Sequence, residues 1–186
     1  MRLRTLALLA AALATTGAAK PAAHKPPVAG KPPVVEQAAP AAPVGPFDAR
    51  DPASLTALLG SLAAKAETAS KDKSGVLLKV TSPAGGFTAQ FDGCNQQGRN
   101  CQAVQLDAQA EARTASITEV NGFNQSSLAC RIVQDKAGKP HVLYSTLVFA
   151  STTRADMLTH VNAWRGCLAD FSTFLKDPPG YLASAP

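Results

Sequence analysis

Four cysteines, three histidines and a closely spaced pair of asparagines carry most of the chemical potential in this 186-residue chain. Cys94 and Cys101 bracket a polar stretch, residues 95–100. A zinc centre would want Cys-x-x-Cys pairs or nearby histidines, and a redox pair would want Cys-x-x-Cys at a helix start. Neither spacing is present, so Cys94 and Cys101 are expected to form a structural disulfide that staples two strands. Cys130 and Cys167 fall on the inward sides of a strand and of the last helix. They are expected either to pair or to stay as two buried thiols. No metal and no cofactor is expected.

The histidines are His24, His141 and His160. A serine or cysteine nucleophile would need one of them plus an orienting carboxylate. The chain has no Gly-x-Ser-x-Gly elbow and no His-Glu-x-x-His helix, so no catalytic residue is assigned. Gly85-Gly86 reads as a turn, since no phosphate-loop pattern follows it. Asn121 and Asn124 stand three apart and share one side of a short helix. Asparagine competes for backbone groups inside a helix, which suggests tertiary hydrogen bonds or ligand contact. Trp164 is expected to anchor the core rather than serve as a binding platform.

The elements that must position these residues follow from periodicity. Asp51 and Pro52 open a helix whose apolar face continues through Leu55, Leu58, Leu59, Leu62, Ala63 and Ala66 and fades in the polar run 70–74. Residues 76–82 and 87–92 read as strands around the turn 83–86. Residues 101–107 are expected as a third strand, buried on both sides or irregular at an edge. Ser116 and Glu119 fit a capping box for a helix carrying Ile117, Val120 and Phe123. Leu128, Cys130 and Ile132 are expected on one face of the next strand, which pairs with residues 140–150 across a hairpin loop. Thr153 and Asp156 open the last helix, with the stripe Met157, Val161, Trp164, Leu168, Phe171 and Leu175, stopped at Pro178-Pro179-Gly180. The expected order is α-β-β-β-α-β-β-α, an α+β fold with helices packed on an antiparallel sheet.

Charge and composition divide the chain. Residues 1–19 read as a signal peptide: Arg2 and Arg4, an apolar run over 6–14, and small residues Gly17 and Ala19 before a cut. The apolar run is too short for a bilayer span, and no cysteine lies near the cut for lipid attachment. Residues 20–46 are rich in Pro and Ala and are expected to be a disordered tether or, at Pro40 and Pro43, a ligand for a proline-reading groove. All ten aromatics lie at or after Phe47, and residues 47–177 hold thirteen Lys+Arg against twelve Asp+Glu. A nearly neutral folding unit argues against nucleic-acid binding. The folded domain is expected over 47–178, with a flexible tail over 179–186.

Three sequence features resemble the YbjN-type family, often labelled bacterial sensory transduction regulators. They are Phe91-Asp92-Gly93-Cys94 followed by Cys101, Val120-Asn121-Gly122-Phe123-Asn124, and Trp164 with Leu168 and Phe171. The family's helix motif usually carries Trp where Phe123 stands, and Cys130 and Cys167 are additions to its pattern. The resemblance implies a fold like that of type III secretion chaperones and no established enzymatic activity. The expected function is an exported, non-enzymatic binding or regulatory module of the bacterial envelope, sensory or chaperone-like. It would be periplasmic or secreted, engaging a protein partner, with a homodimer as one form. The alternative is a small envelope hydrolase or ligand carrier whose site follows no motif, for which a pocket lined by His160 or the two asparagines would speak.

Overall fold

A computed structural model describes residues 46–110 and 114–185. The expected signal peptide, His24 and all of the expected tether but Pro46 lie outside the described residues. Among the described residues the fold is α+β, with six antiparallel strands and four helices.

Helix α1, Pro52–Gly60, starts where Asp51 accepts the Ala53 amide, with Pro52 at the first helical position. It ends sooner than its apolar stripe suggests. Ala63 takes φ 59°, and the Ala64 and Ala63 amides close back on the carbonyls of Leu59 and Gly60. This is a Schellman stop with alanine where glycine is favoured, so nothing in the sequence announces it. Leu62, Ala63 and Ala66 therefore do not extend the helix. The chain turns into β1, Lys65–Lys71, a strand absent from the sequence reading.

Strands β2, Gly75–Ser82, and β3, Gly85–Asp92, form a hairpin around Pro83-Ala84. Strand β4 runs over Ala103–Gln109. Its Val104, Leu106 and Ala108 are buried on one face, which corrects the expectation of burial on both sides. Helix α2, Ile117–Ser126, has the reciprocal capping box of Ser116 and Glu119. Ile117 is 64% exposed, so the buried face of α2 is Val120 and Phe123 alone. Strand β5 is short, Arg131–Gln134, and Leu128 stands 98% exposed outside it. Strand β6 covers Pro140–Leu147.

The strand order is β1-β2-β3-β4-β6-β5. The register stacks residues of one parity into rows across the sheet, such as Leu78, Ala89, Leu106 and Tyr144. That face is lined by buried side chains, among them Val76, Phe91, Val104 and Val142. Helix α3, Arg154–Lys176, covers it with Met157, Val161, Trp164, Cys167, Phe171 and Phe174. The stripe passes through Cys167 and Phe174, while Leu168 and Leu175, expected in the seam, are only partly buried at its border. The opposite face carries Lys79, Thr88, Gln105 and Arg131, as befits an antiparallel sheet with one wet side.

Pro178 and Pro179 stop α3 but start another helix. Asp177 accepts the Gly180 amide and caps α4, Pro178–Ser184. The expected tail is thus a packed helix. Tyr181 stacks on Phe123 at 5.5 Å and meets Phe174 edge-on at 5.8 Å. Leu182 lies so close to Gly122 that a β-carbon there would come within 2.9 Å of it. Among the described residues, no helix is long and apolar enough to cross a membrane.

Candidate functional site

Cys94 pairs with Cys101, as expected, and Cys130 pairs with Cys167, one of the two options left open for them. Their α-carbons lie 3.8 Å and 5.6 Å apart. Two disulfides are compatible with an oxidising compartment. The first closes the β3–β4 loop, which is held against the segment before α1: the Cys101 amide donates to the Arg50 carbonyl, and Arg99 pairs with Asp51 at 3.0 Å. The second ties the residue before β5 to the middle of α3, and with it an edge of the sheet to the covering helix.

That edge has an unusual finish. The Ala110 amide bonds the Pro140 carbonyl, and the Val148 amide bonds the Gln102 carbonyl. These two bonds fix the parity of β6: its even-numbered residues turn their backbone groups toward β4, and its odd-numbered residues turn theirs away. On the far side β5 pairs with β6 only from Pro140 to Leu143. Ser145 and Leu147 therefore present amides and carbonyls to an edge that no strand occupies among the described residues. The Leu147 carbonyl accepts the Thr146 hydroxyl at 3.2 Å. The Ser145 amide and carbonyl and the Leu147 amide have no backbone partner among the described residues. Leu147 is 62% exposed and Phe149, two residues on, 58% exposed.

Asn124 closes the neighbouring part of the same edge, at Ile132. Ile132 faces Val142 across the β5–β6 pair, and by parity its own backbone groups point outward. Asn124 donates its amide to the Ile132 carbonyl at 2.9 Å and accepts the Ile132 amide at 2.7 Å. One side chain thus stands in for the missing neighbour strand. Asn121 is exposed and makes no side-chain hydrogen bond among the described residues, so the two asparagines do not meet at one site. Beyond Arg131 the chain leaves the edge through Cys130 toward α3, and the Arg131 guanidinium bonds the Ser127 and Cys130 carbonyls. A groove begins there, walled by Leu128, Cys130, Ala163, Gly166 and Tyr181.

Among the described residues, His141 and the His160 partner Tyr144 lie on opposite faces of β6. His141 sits on the wet face with Nδ1 2.9 Å from Asp107 and Nε2 3.9 Å from Asp135. Its Nε2 is buried and touches no hydrogen-bonding group. Asp135 accepts the Lys139 and Ala137 amides, and these bonds, the Lys139 one first, hold its carboxyl below the usual carboxylate range. His160 shares a 2.7 Å hydrogen bond with the Tyr144 hydroxyl, and burial raises the pKa of that phenol. Among the described residues neither imidazole contacts a serine hydroxyl, and the four cysteines are bonded in two pairs.

Trp164 is fully buried, edge-on to Phe87 at 5.5 Å, in the anchoring position expected of it. It also walls a small apolar cleft between the end of α1, the β2–β3 turn and α3.

Sequence reasoning missed Ser145 and Leu147, whose role comes from strand pairing rather than side-chain type. The cue was the contrast between a short β5 candidate and a long β6 candidate. No family model, curated protein or solved structure matches this chain.

Proposed function

We propose that this protein is an exported, non-enzymatic binding module of the bacterial envelope, of the YbjN type, that captures an extended segment of a protein partner. The observation that carries the reading is the unpaired step of β6 at Ser145 and Leu147. Exposed backbone donors and acceptors beside an apolar side chain are what strand addition uses: main-chain bonds give affinity and alternate side chains give specificity. Leu147 and Phe149 supply the apolar contacts, and a groove walled by Leu128 and Cys130 opens where β5 leaves the edge. The disulfides and the leader-like residues 1–19 support a periplasmic or secreted setting. The three motifs that resemble the YbjN-type family support a regulatory or chaperone-like role.

The test places a photo-crosslinking residue at Leu147 in one variant and at Glu67 of β1 in another, in cells that export the protein. We expect a discrete adduct from position 147 and none from position 67. Ser145→Pro should abolish the adduct. Its amide faces the open edge, so proline removes a donor while breaking no backbone bond, and the native bond it costs is the exposed one from the Ser145 hydroxyl to Gln105. Equal adducts from both positions, or an adduct that survives Ser145→Pro, would overturn the reading. An adduct of twice the chain's mass would assign the edge to a second copy.

A further inference from the structure

The groove that begins at Cys130 has a chemistry of its own. Its walls are mostly apolar: Leu128 and Ala129 from the α2–β5 loop, Ala163 from α3, and the Cys130–Cys167 bridge. Its volume, ≈ 510 Å³, falls in the range of small-molecule sites. Leu128 in its wall is 98% exposed, an apolar side chain that nothing in the fold covers. Gly166 stands in the middle of the 23-residue α3, where glycine is a poor helix former, and a β-carbon there would meet nothing within 4 Å. Internal packing does not require that glycine, and its bare backbone leaves the groove open at this point.

The polar groups of the groove favour one sign of charge. Among the described residues, Asp170 is the one charged side chain that lines it, and Asp170 makes no ion pair or hydrogen bond. Tyr181 lines the groove as well. Burial first, and the Asp170 charge second, raise its phenol pKa, so carboxylate and phenol are neighbours. The Tyr181 hydroxyl also has no hydrogen-bond partner among the described residues. Arg131, the nearest cation in the sequence, is bonded to the Ser127 and Cys130 carbonyls and does not line the groove. An apolar groove with one unanswered carboxylate is complementary to a hydrocarbon that carries a single positive charge.

We propose that this groove binds an aliphatic monoamine. The hydrocarbon lies over Gly166 against Leu128, Ala129 and Ala163, and the ammonium donates to the Asp170 carboxylate and the Tyr181 hydroxyl oxygen. An ammonium has three donors and no acceptor, which suits two oxygens that lack partners. A polyamine would bring charges that no second carboxylate answers, and an anion would find no cationic donor. The inference does not rest on the strand-addition reading, since it uses no backbone group of β6.

The experiment titrates methyl-labelled full-length protein at neutral pH with n-hexylamine and, separately, with n-hexanol, which keeps the hydrocarbon and lacks the charge. Hexylamine is expected to shift the Leu128, Ala129 and Ala163 methyl resonances saturably in the millimolar range. Hexanol should bind roughly fivefold more weakly, the upper end for a solvated ion pair. Asp170→Asn should erase that difference, and so should about 0.5 M salt. Gly166→Leu should fill the groove and abolish binding while keeping or raising the melting temperature, because leucine is the better helix former. No saturable shift with hexylamine, or undiminished binding in Gly166→Leu, overturns the site. Equal binding of amine and alcohol, or an unchanged affinity in Asp170→Asn, overturns the cation class. Tighter binding of Nα-acetyl-lysine methylamide than of hexylamine would overturn the free amine and assign the groove to a lysine side chain.

Discussion

The two lateral limits of the sheet are finished by different means. At one side lies β1, seven residues long and exposed along nearly its whole length. It carries Lys65, Glu67 and Lys71 and has a register shift between Thr68 and Ser70. Charge and a bulge are common defences of an edge strand against foreign strands. At the other side β5 is only four residues long, and Asn124 occupies the outward backbone groups of Ile132. Past it, Ser145 and Leu147 of β6 have neither charge nor bulge, and a side chain covers only the Leu147 carbonyl, through the Thr146 hydroxyl. One edge is guarded by charge and a bulge, and the other is clamped at Ile132 and open at Ser145 and Leu147. The difference teaches that exposure alone does not mark a docking edge: β1 is the more exposed strand and the less available one.

Removing the disulfides breaks this comparison most strongly. Cys130–Cys167 spans 37 residues and holds the start of β5 to α3, whereas Cys94–Cys101 spans seven. In the chain-entropy model the longer ring stabilises by about 4 kcal/mol and the shorter by about 2.4 kcal/mol. Chemical unfolding of Cys130→Ala/Cys167→Ala and Cys94→Ala/Cys101→Ala should rank them in that order. The first variant should also speed amide exchange through β5, and the second should leave β5 unchanged.

Stripping the guard from β1 would sharpen the comparison from the other side. Replacing Lys65, Glu67 and Lys71 together with valine leaves an apolar edge of high β propensity. Sedimentation should then show self-association absent from the parent. A monomer at high concentration would mean that the bulge suffices as the guard.

The smallest effect is electrostatic. The Asp135 carboxylate fastens the β5–β6 turn by accepting the Lys139 and Ala137 amides, and its pKa is lowered, chiefly by the Lys139 bond. A carboxyl with a lowered folded-state pKa contributes stability that is full above its unfolded value and lost as pH falls through the folded one. Amide exchange at Ala137 and Lys139 should therefore quicken below about pH 4, near the ordinary aspartate value. Asp135→Asn should remove that dependence. At β1, Glu67 is also lowered, first by its hydrogen bond with Lys65, but the pair is solvated, and acid should leave β1 exchange nearly unchanged.

Periodicity and capping chemistry made much of the fold readable. The capping boxes at Ser116 and Thr153 mark the starts of α2 and α3, and the alternation of Phe87, Ala89 and Phe91 marks β3. Elements whose signals are carried by tertiary context were not readable. Strand β1 alternates nothing apolar, because an exposed edge has no face to bury. Helix α4 hides behind a Pro-Pro-Gly that serves as a helix start once Asp177 caps it. The pairing of Cys130 with Cys167 was legible as one of two options, since both fall on inward faces. The open step at Ser145 and Leu147 was not, because it depends on where β5 stops, which the bridge at Cys130 and the clamp from Asn124 decide.

Helix α3 follows all six strands in the sequence, yet it supplies the cover for their apolar face. During synthesis the chain emerges in the order in which it was written. The strands are therefore complete before Trp164, Phe171 and Phe174 arrive to shield Phe91, Leu106 and Val142. Until then the nascent sheet is an uncovered apolar surface, and Cys130 waits as a free thiol for a partner 37 residues downstream. The interval between the last strand and the last helix is the period in which this protein most needs protection from aggregation and from premature oxidation.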